Sequence, residues 1–140
     1  MRVRAVLRTH ADQQAIWDYV SEPNNDPKWV NTTPLVDVVG NGPDMEFTFQ
    51  QVFGKKESWG TAKVVEWDEP RRLVWRVEDS RRVTMVTYEI ADGWFRQTNR
   101  TKWKQWRLLS PLMYPFVAMQ MHKQLRALGL QLREHAPPPE

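Results

Sequence analysis

The sequence predicts an α+β fold in which a curved antiparallel sheet of about seven strands wraps around one long C-terminal helix, with one or two short helices after the first strand. Three observations predict it. From Val36 to Trp106, stretch after stretch alternates apolar and polar residues, with short turns between them, which is the pattern of an antiparallel meander. An apolar stripe then recurs at three- and four-residue steps through Tyr114, Val117, Met121, Leu125, Leu128 and Leu132, the mark of an amphipathic helix. A sheet with one apolar face must bury it, and this helix is the only element long enough to do so.

Each element follows in order. Val3, Ala5 and Leu7 alternate with Arg2, Arg4 and Arg8, giving a first strand with a basic outer face. Thr9 to Asp12 opens a helix whose Ala15, Ile16, Tyr19 and Val20 share a side, with Trp17 beside them. Ser21 to Pro27 breaks the chain, and Lys28, Trp29 and Val30 form one further helical turn. Val36, Val38 and Val39 lead into a turn at Gly40 to Asp44, after which Met45, Phe47, Phe49 and Phe53 line one face of a strand. Gly54 to Lys56 turns the chain into a strand from Trp59 to Trp67, closed by Asp68 to Arg71. Leu73, Trp75 and Val77 mark the next strand, and Val86, Tyr88 and Ile90 the one after it. Ala91 to Gly93 turns into a last strand running from Trp94 to about Trp106. Ser110 followed by Pro111 is a strong helix opening.

The length of 140 residues fits one domain, expected over residues 1–135, with the Pro-rich residues 136–140 as a disordered tail. The absence of Cys excludes disulfides, thiolate metal sites and Cys nucleophiles. Charges at every second residue of the N-terminus leave no signal-peptide core. The longest uncharged stretch, Leu108 to Met121, contains two prolines and falls short of the roughly 20 residues a membrane span needs. A cytoplasmic protein is the expectation. Tryptophan is in excess, eight residues against five Phe and three Tyr. So large a residue, carrying an N–H that wants a partner, suits a roomy interior or a binding surface better than a small tight core.

Four segments, in this order and spacing, resemble the START-like, SRPBCC superfamily, and within it the polyketide cyclase/dehydrase and lipid-transport branch. Ala11 to Val20 looks like the family's first helix, with Ile16 and Trp17 paired mid-helix. Pro27-Lys28-Trp29 resembles its proline, any residue, tryptophan motif. Val64 to Leu73 matches its strand–turn–strand pattern, and Leu125 to Leu128 with Glu134 looks like the end of its long helix. Gly93 is followed by Trp94 and Phe95, where the family often has Gly-Thr. The resemblance implies a helix-grip fold enclosing an elongated apolar cavity between sheet and C-terminal helix. It implies binding of a hydrophobic or polycyclic small molecule, lipid or polyketide-like, by a carrier or sensor. Polyketide cyclase, aromatase or dehydratase activity is the alternative, and a membrane- or protein-interaction module the second alternative.

With that cavity, the inward parity of the strands nominates Met45, Phe47, Phe49, Leu73, Trp75, Val86 and Tyr88 as its lining. Trp29 is read either as a lid or as core, and Tyr114, Val117 and Met121 face the sheet from the helix. The last strand carries charges at Arg96, Arg100, Lys102 and Lys104, which places Phe95, Gln97, Asn99, Thr101 and Trp103 on the inner side. Three consecutive inward polar residues are costly unless bonded. Gln97, Asn99 and Thr101 therefore either orient a ligand or bond water at a cavity mouth. No metal, hydrolase or cofactor motif occurs, so no metal and no cofactor are expected and no catalytic residue stands out. The basic residues of the last strand read as a solvent face rather than a nucleic-acid stripe. Trp106, leading into the uncharged stretch, leaves peripheral membrane contact open, and the oligomeric state is open too.

Overall fold

A computed structural model describes residues 1–30, 36–53, 56–104 and 110–135. All strand pairings are antiparallel. In chain order the elements are β1 (Arg2–Arg8), α1 (Gln13–Val20), α2 (Asp26–Trp29), β2 (Val36–Val39), β3 (Glu46–Phe53), β4 (Lys56–Asp68), β5 (Arg72–Glu78), β6 (Arg82–Ala91), β7 (Trp94–Trp103) and α3 (Ser110–His135). Across the sheet the strands run β1-β7-β6-β5-β4-β3-β2. Strands two to seven form the expected meander, and β1 joins it at the far edge, with Arg2 opposite Arg100 and Arg8 opposite Trp94. The result is the helix-grip architecture, a curved seven-strand sheet around a long C-terminal helix. The turn expected at Gly54 to Lys56 gives way to β4 at Lys56, and β7 ends at Trp103 rather than Trp106. Residues 54–55, Trp106 and the Pro-rich 136–140 lie outside the described residues.

α1 begins where Asp12 caps it, its carboxylate accepting from the Ala15 N–H at 2.8 Å. The helix buries Ile16, Trp17, Tyr19 and Val20. The Trp17 ring meets Trp67 edge-on, with centroids 4.9 Å apart. Trp67 reaches that side through a bulge. Val64 pairs with Trp75, but Glu66 pairs with Val74, so one extra residue resets which side of β4 faces inward. Trp59 falls on the outer parity of β4 and is exposed.

α3 buries Met121, Leu125, Leu128 and Leu132 against the sheet, each 3% exposed or less. Gly129 lies where α3 crosses β1. A Cβ there would stand 3.2 Å from a Leu7 methyl, so the missing side chain permits the close approach. The stripe does not extend to Tyr114, which is 47% exposed. Among the described residues no helix is long and apolar enough to cross a membrane.

The outer face is held by charge. Arg96, directly opposite Glu89, donates to its carboxylate from Nε at 3.1 Å and Nη2 at 2.6 Å. That hydrogen bonding holds Glu89 below its ordinary range. A depressed carboxylate adds stability above its unfolded pKa and loses it as pH falls through the folded one. We expect Glu89→Gln to cost about 1 kcal/mol near neutral pH and progressively less as the pH falls through the folded carboxyl's lowered range, measured as urea midpoints across pH.

Candidate functional site

Between the inner face of the sheet and α3 lies a cavity of about 150 Å³. Its apolar walls come from Phe47 and Phe49 on β3, Ala62 on β4, Trp75 and Val77 on β5, Val86 on β6 and Val117 on α3. The Phe47 and Trp75 rings meet edge-on, with centroids 5.2 Å apart. Phe49 lies flat on the sheet because its cross-strand partner is Gly60, and a Cβ at that glycine would overlap the ring.

One strip of this lining is polar. The register sets Thr84 beside Thr101, Val86 beside Asn99 and Tyr88 beside Gln97, and all six side chains line the cavity. Thr84 and Thr101 share a hydroxyl hydrogen bond of 3.1 Å, and Gln97 Nε2 donates to Asn99 Oδ1 at 3.0 Å. The trio therefore satisfies part of its own demand. Gln97 Oε1 is buried with no partner among the described residues.

Asp26 and Arg82 complete the polar groups, with Gln124 from α3. The Asp26 side chain is half-buried, and its carboxyl accepts no hydrogen bond or ion pair among the described residues. Burial pushes it well above the usual carboxylate range, and the nearby Glu22 adds to this. Burial likewise raises the Tyr88 phenol well above its ordinary value, with the Asp26 charge a further cause. Arg82 is engaged elsewhere, 3.6 Å from the Asp79 carboxylate and 5.5 Å over the Trp103 ring. Among the described residues no group of three or more His, Asp or Glu side chains is placed to hold a metal ion.

Of the residues nominated from the sequence, Phe47, Phe49, Trp75, Tyr88, Gln97, Asn99, Thr101 and Val117 line this cavity, as does Val86. Others lie elsewhere. Trp29 is buried core, its ring packed on Tyr88 and edge-on to Phe95. Met45 and Met121 are core residues, as is Leu73. Trp103 sits beyond the Thr84–Thr101 end of the strip, beneath Arg82. Tyr114 faces outward one turn before the cavity begins at Val117.

Asp26 was missed because it sits in a run of Asn, Asp and Pro that reads as a chain break. The available signal is its place three residues before Trp29, which puts both on one side of the α2 turn. Thr84 and Arg82 follow from stepping the Tyr88, Val86 parity back along β6.

The chain belongs to the polyketide cyclase / dehydrase and lipid transport family, whose model matches residues 1–132. Among solved structures it is similar to TTHA0849 from Thermus thermophilus, at 15% identity and a TM-score of 0.78, covering 97% of this chain and 99% of that one. The Zhui aromatase/cyclase from Streptomyces sp. R1128 aligns at 10% identity and a TM-score of 0.76, covering 97% and 96% of the two chains. Ara h 8.0201 aligns at 15% identity and a TM-score of 0.69, covering 96% and 98%. At these identities the likeness is one of fold. No curated protein matches the chain in sequence.

Proposed function

We propose that this protein binds a small, largely apolar molecule in the cavity between its sheet and α3, and serves as a carrier or sensor of it. The observation that carries this reading is a space walled by Phe47, Phe49 and Trp75 with one strip of inward polar groups along β6 and β7. Apolar walls with a few fixed polar groups are the usual make-up of a small-molecule site. The volume of about 150 Å³ supports a single ring or a short chain rather than a polycycle, since an apolar cavity of about that size holds benzene. Exposed Tyr114, Phe116 and Met119 on the first turns of α3 favour the carrier version, because such residues suit contact with a bilayer interface during ligand exchange.

Titrating single-ring and short-chain probes against the intrinsic tryptophan emission tests the reading, with Trp75 in the wall as reporter. Native mass spectrometry of gently purified protein complements it. Saturable quenching by at least one probe is expected, and emission flat to every probe overturns the reading. Asn99→Leu removes the partner of Gln97 in the polar strip, and we expect about a tenfold weaker affinity for a polar-substituted ring. Unchanged affinity would remove the strip from ligand recognition.

A cyclase or dehydratase is the second reading. It draws on the fold shared with an aromatase/cyclase and on two titratable groups, Asp26 and Tyr88, in the cavity wall.

A further inference from the structure

We propose that Asp26, Tyr88 and Gln97 form a hydroxyl-binding subsite at the α2 end of the cavity, and that the ligand is an uncharged single-ring molecule whose hydroxyl is held there. The inference rests on the cavity reading above and specifies its ligand.

Three placements bring these groups together. Tyr88 and Gln97 are direct cross-strand partners on the inner face, where opposed Cβ atoms lie about 4.5–5.5 Å apart. The Trp29 ring packs on the Tyr88 ring at 5.8 Å, and Asp26 shares its side of the α2 turn. All three side chains of the subsite line the same cavity.

Their unmet hydrogen bonds define the ligand. Gln97 leaves one amide atom unmatched after bonding Asn99. The Asp26 carboxyl has no partner among the described residues, and its surroundings favour the protonated, donating form. A neutral carboxyl and a phenol offer donors, while Gln97 Oε1 asks for one. A hydroxyl is both donor and acceptor, so one group answers all of them. A bare carbonyl would leave Oε1 unmatched, and an unsubstituted ring would leave the whole subsite unmatched.

The titratable groups facing Asp26 are few. Glu22 precedes it, and Tyr19 on α1 is within reach of its charge. Tyr88 and Arg82 line the same cavity from β6. Gln124 faces the cavity from α3, while Lys28 and Lys123 line the outer groove between α2 and α3. Glu22 opposes ionisation, and Arg82 is already engaged by Asp79 and Trp103.

The test compares four probes, p-cresol, 4-methylanisole, toluene and benzylamine, on the full chain and on Asp26→Asn, Asp26→Leu and Gln97→Leu. We expect p-cresol to bind about tenfold more tightly than 4-methylanisole or toluene. Asp26→Asn keeps that preference through its amide N–H, whereas Asp26→Leu and Gln97→Leu abolish it. Equal binding of the three neutral probes overturns the subsite and leaves the cavity reading standing. Binding led by benzylamine and lost in Asp26→Asn makes Asp26 an anionic amine site and overturns the proposal. Failure of all four probes to bind overturns the cavity reading itself. A readout without ligand accompanies these. A carboxyl raised in the fold contributes stability below its unfolded pKa and loses it as pH rises. Asp26→Asn should therefore raise the melting temperature near about pH 8 and leave it unchanged near about pH 4. No gain at the higher pH would mean that the carboxyl ionises freely, which overturns the proposal.

Discussion

Trp17→Ala should lower the melting temperature by about 10–15 °C. Trp17 is 1% exposed and among the largest fully buried side chains. It joins α1 to the sheet through its edge-on contact with Trp67. Truncating a buried Trp to Ala costs about 3–5 kcal/mol through lost burial and the cavity left behind. For a domain of this size each kcal/mol shifts the midpoint by roughly 3 °C. Calorimetry checks this. A drop of only a few degrees would show that α1 is held by Ile16 and Val20 and that the Trp17–Trp67 pair is incidental.

Gly60→Val should reduce probe affinity at least about tenfold, by moving a wall rather than by touching the ligand. The Phe49 ring occupies the space a side chain at Gly60 would need. Any Cβ there pushes the ring into a cavity of only about 150 Å³. Overpacking of this kind costs about 1–3 kcal/mol when the surroundings are well packed. The double variant Gly60→Val with Phe49→Ala should recover binding, because the added methyl groups then take the volume the ring gives up. Affinity unchanged in the single variant would mean that Phe49 moves aside without entering the cavity.

The fold was legible because its signals are repetitive. Period-two alternation in β3, β5 and β6 and the stripe of α3 each recur several times, so a single ambiguous residue does not change the reading. The polar strip was legible for the same reason. Charges at Arg96, Arg100 and Lys102 fix the parity of β7, and Gln97, Asn99 and Thr101 follow. What escaped depends on single events. The bulge at Val65 changes the facing of β4 halfway along, and no alternation announces that Trp59 and Trp67, at the same parity, face opposite sides. Tyr114 continues the helical period, but a period gives direction on a helix and not the point where the sheet stops. Trp29 has two neighbours, Tyr88 and Phe95, that come from strands about sixty residues later, and no local pattern distinguishes core from lid there. Asp26 was hidden by its composition, since acids beside prolines usually mark solvated turns.

The placement of β1 carries a consequence for how the chain is made. Its partner is β7, and Arg2 faces Arg100, so the first strand to be synthesised is the last to be paired. At ordinary translation rates the gap amounts to roughly 5–20 s. Throughout it Val3, Ala5 and Leu7 have no sheet to cover them, and an unpaired apolar strand is a template for association between nascent chains. Arg2, Arg4 and Arg8 alternate with these residues along the strand, and charges so placed oppose that pairing. In the finished sheet Arg2 and Arg100 are like charges set opposite each other, which is unfavourable. The basic edge is thus a small, permanent strain in the native sheet, and it guards the strand during the interval before its partner exists.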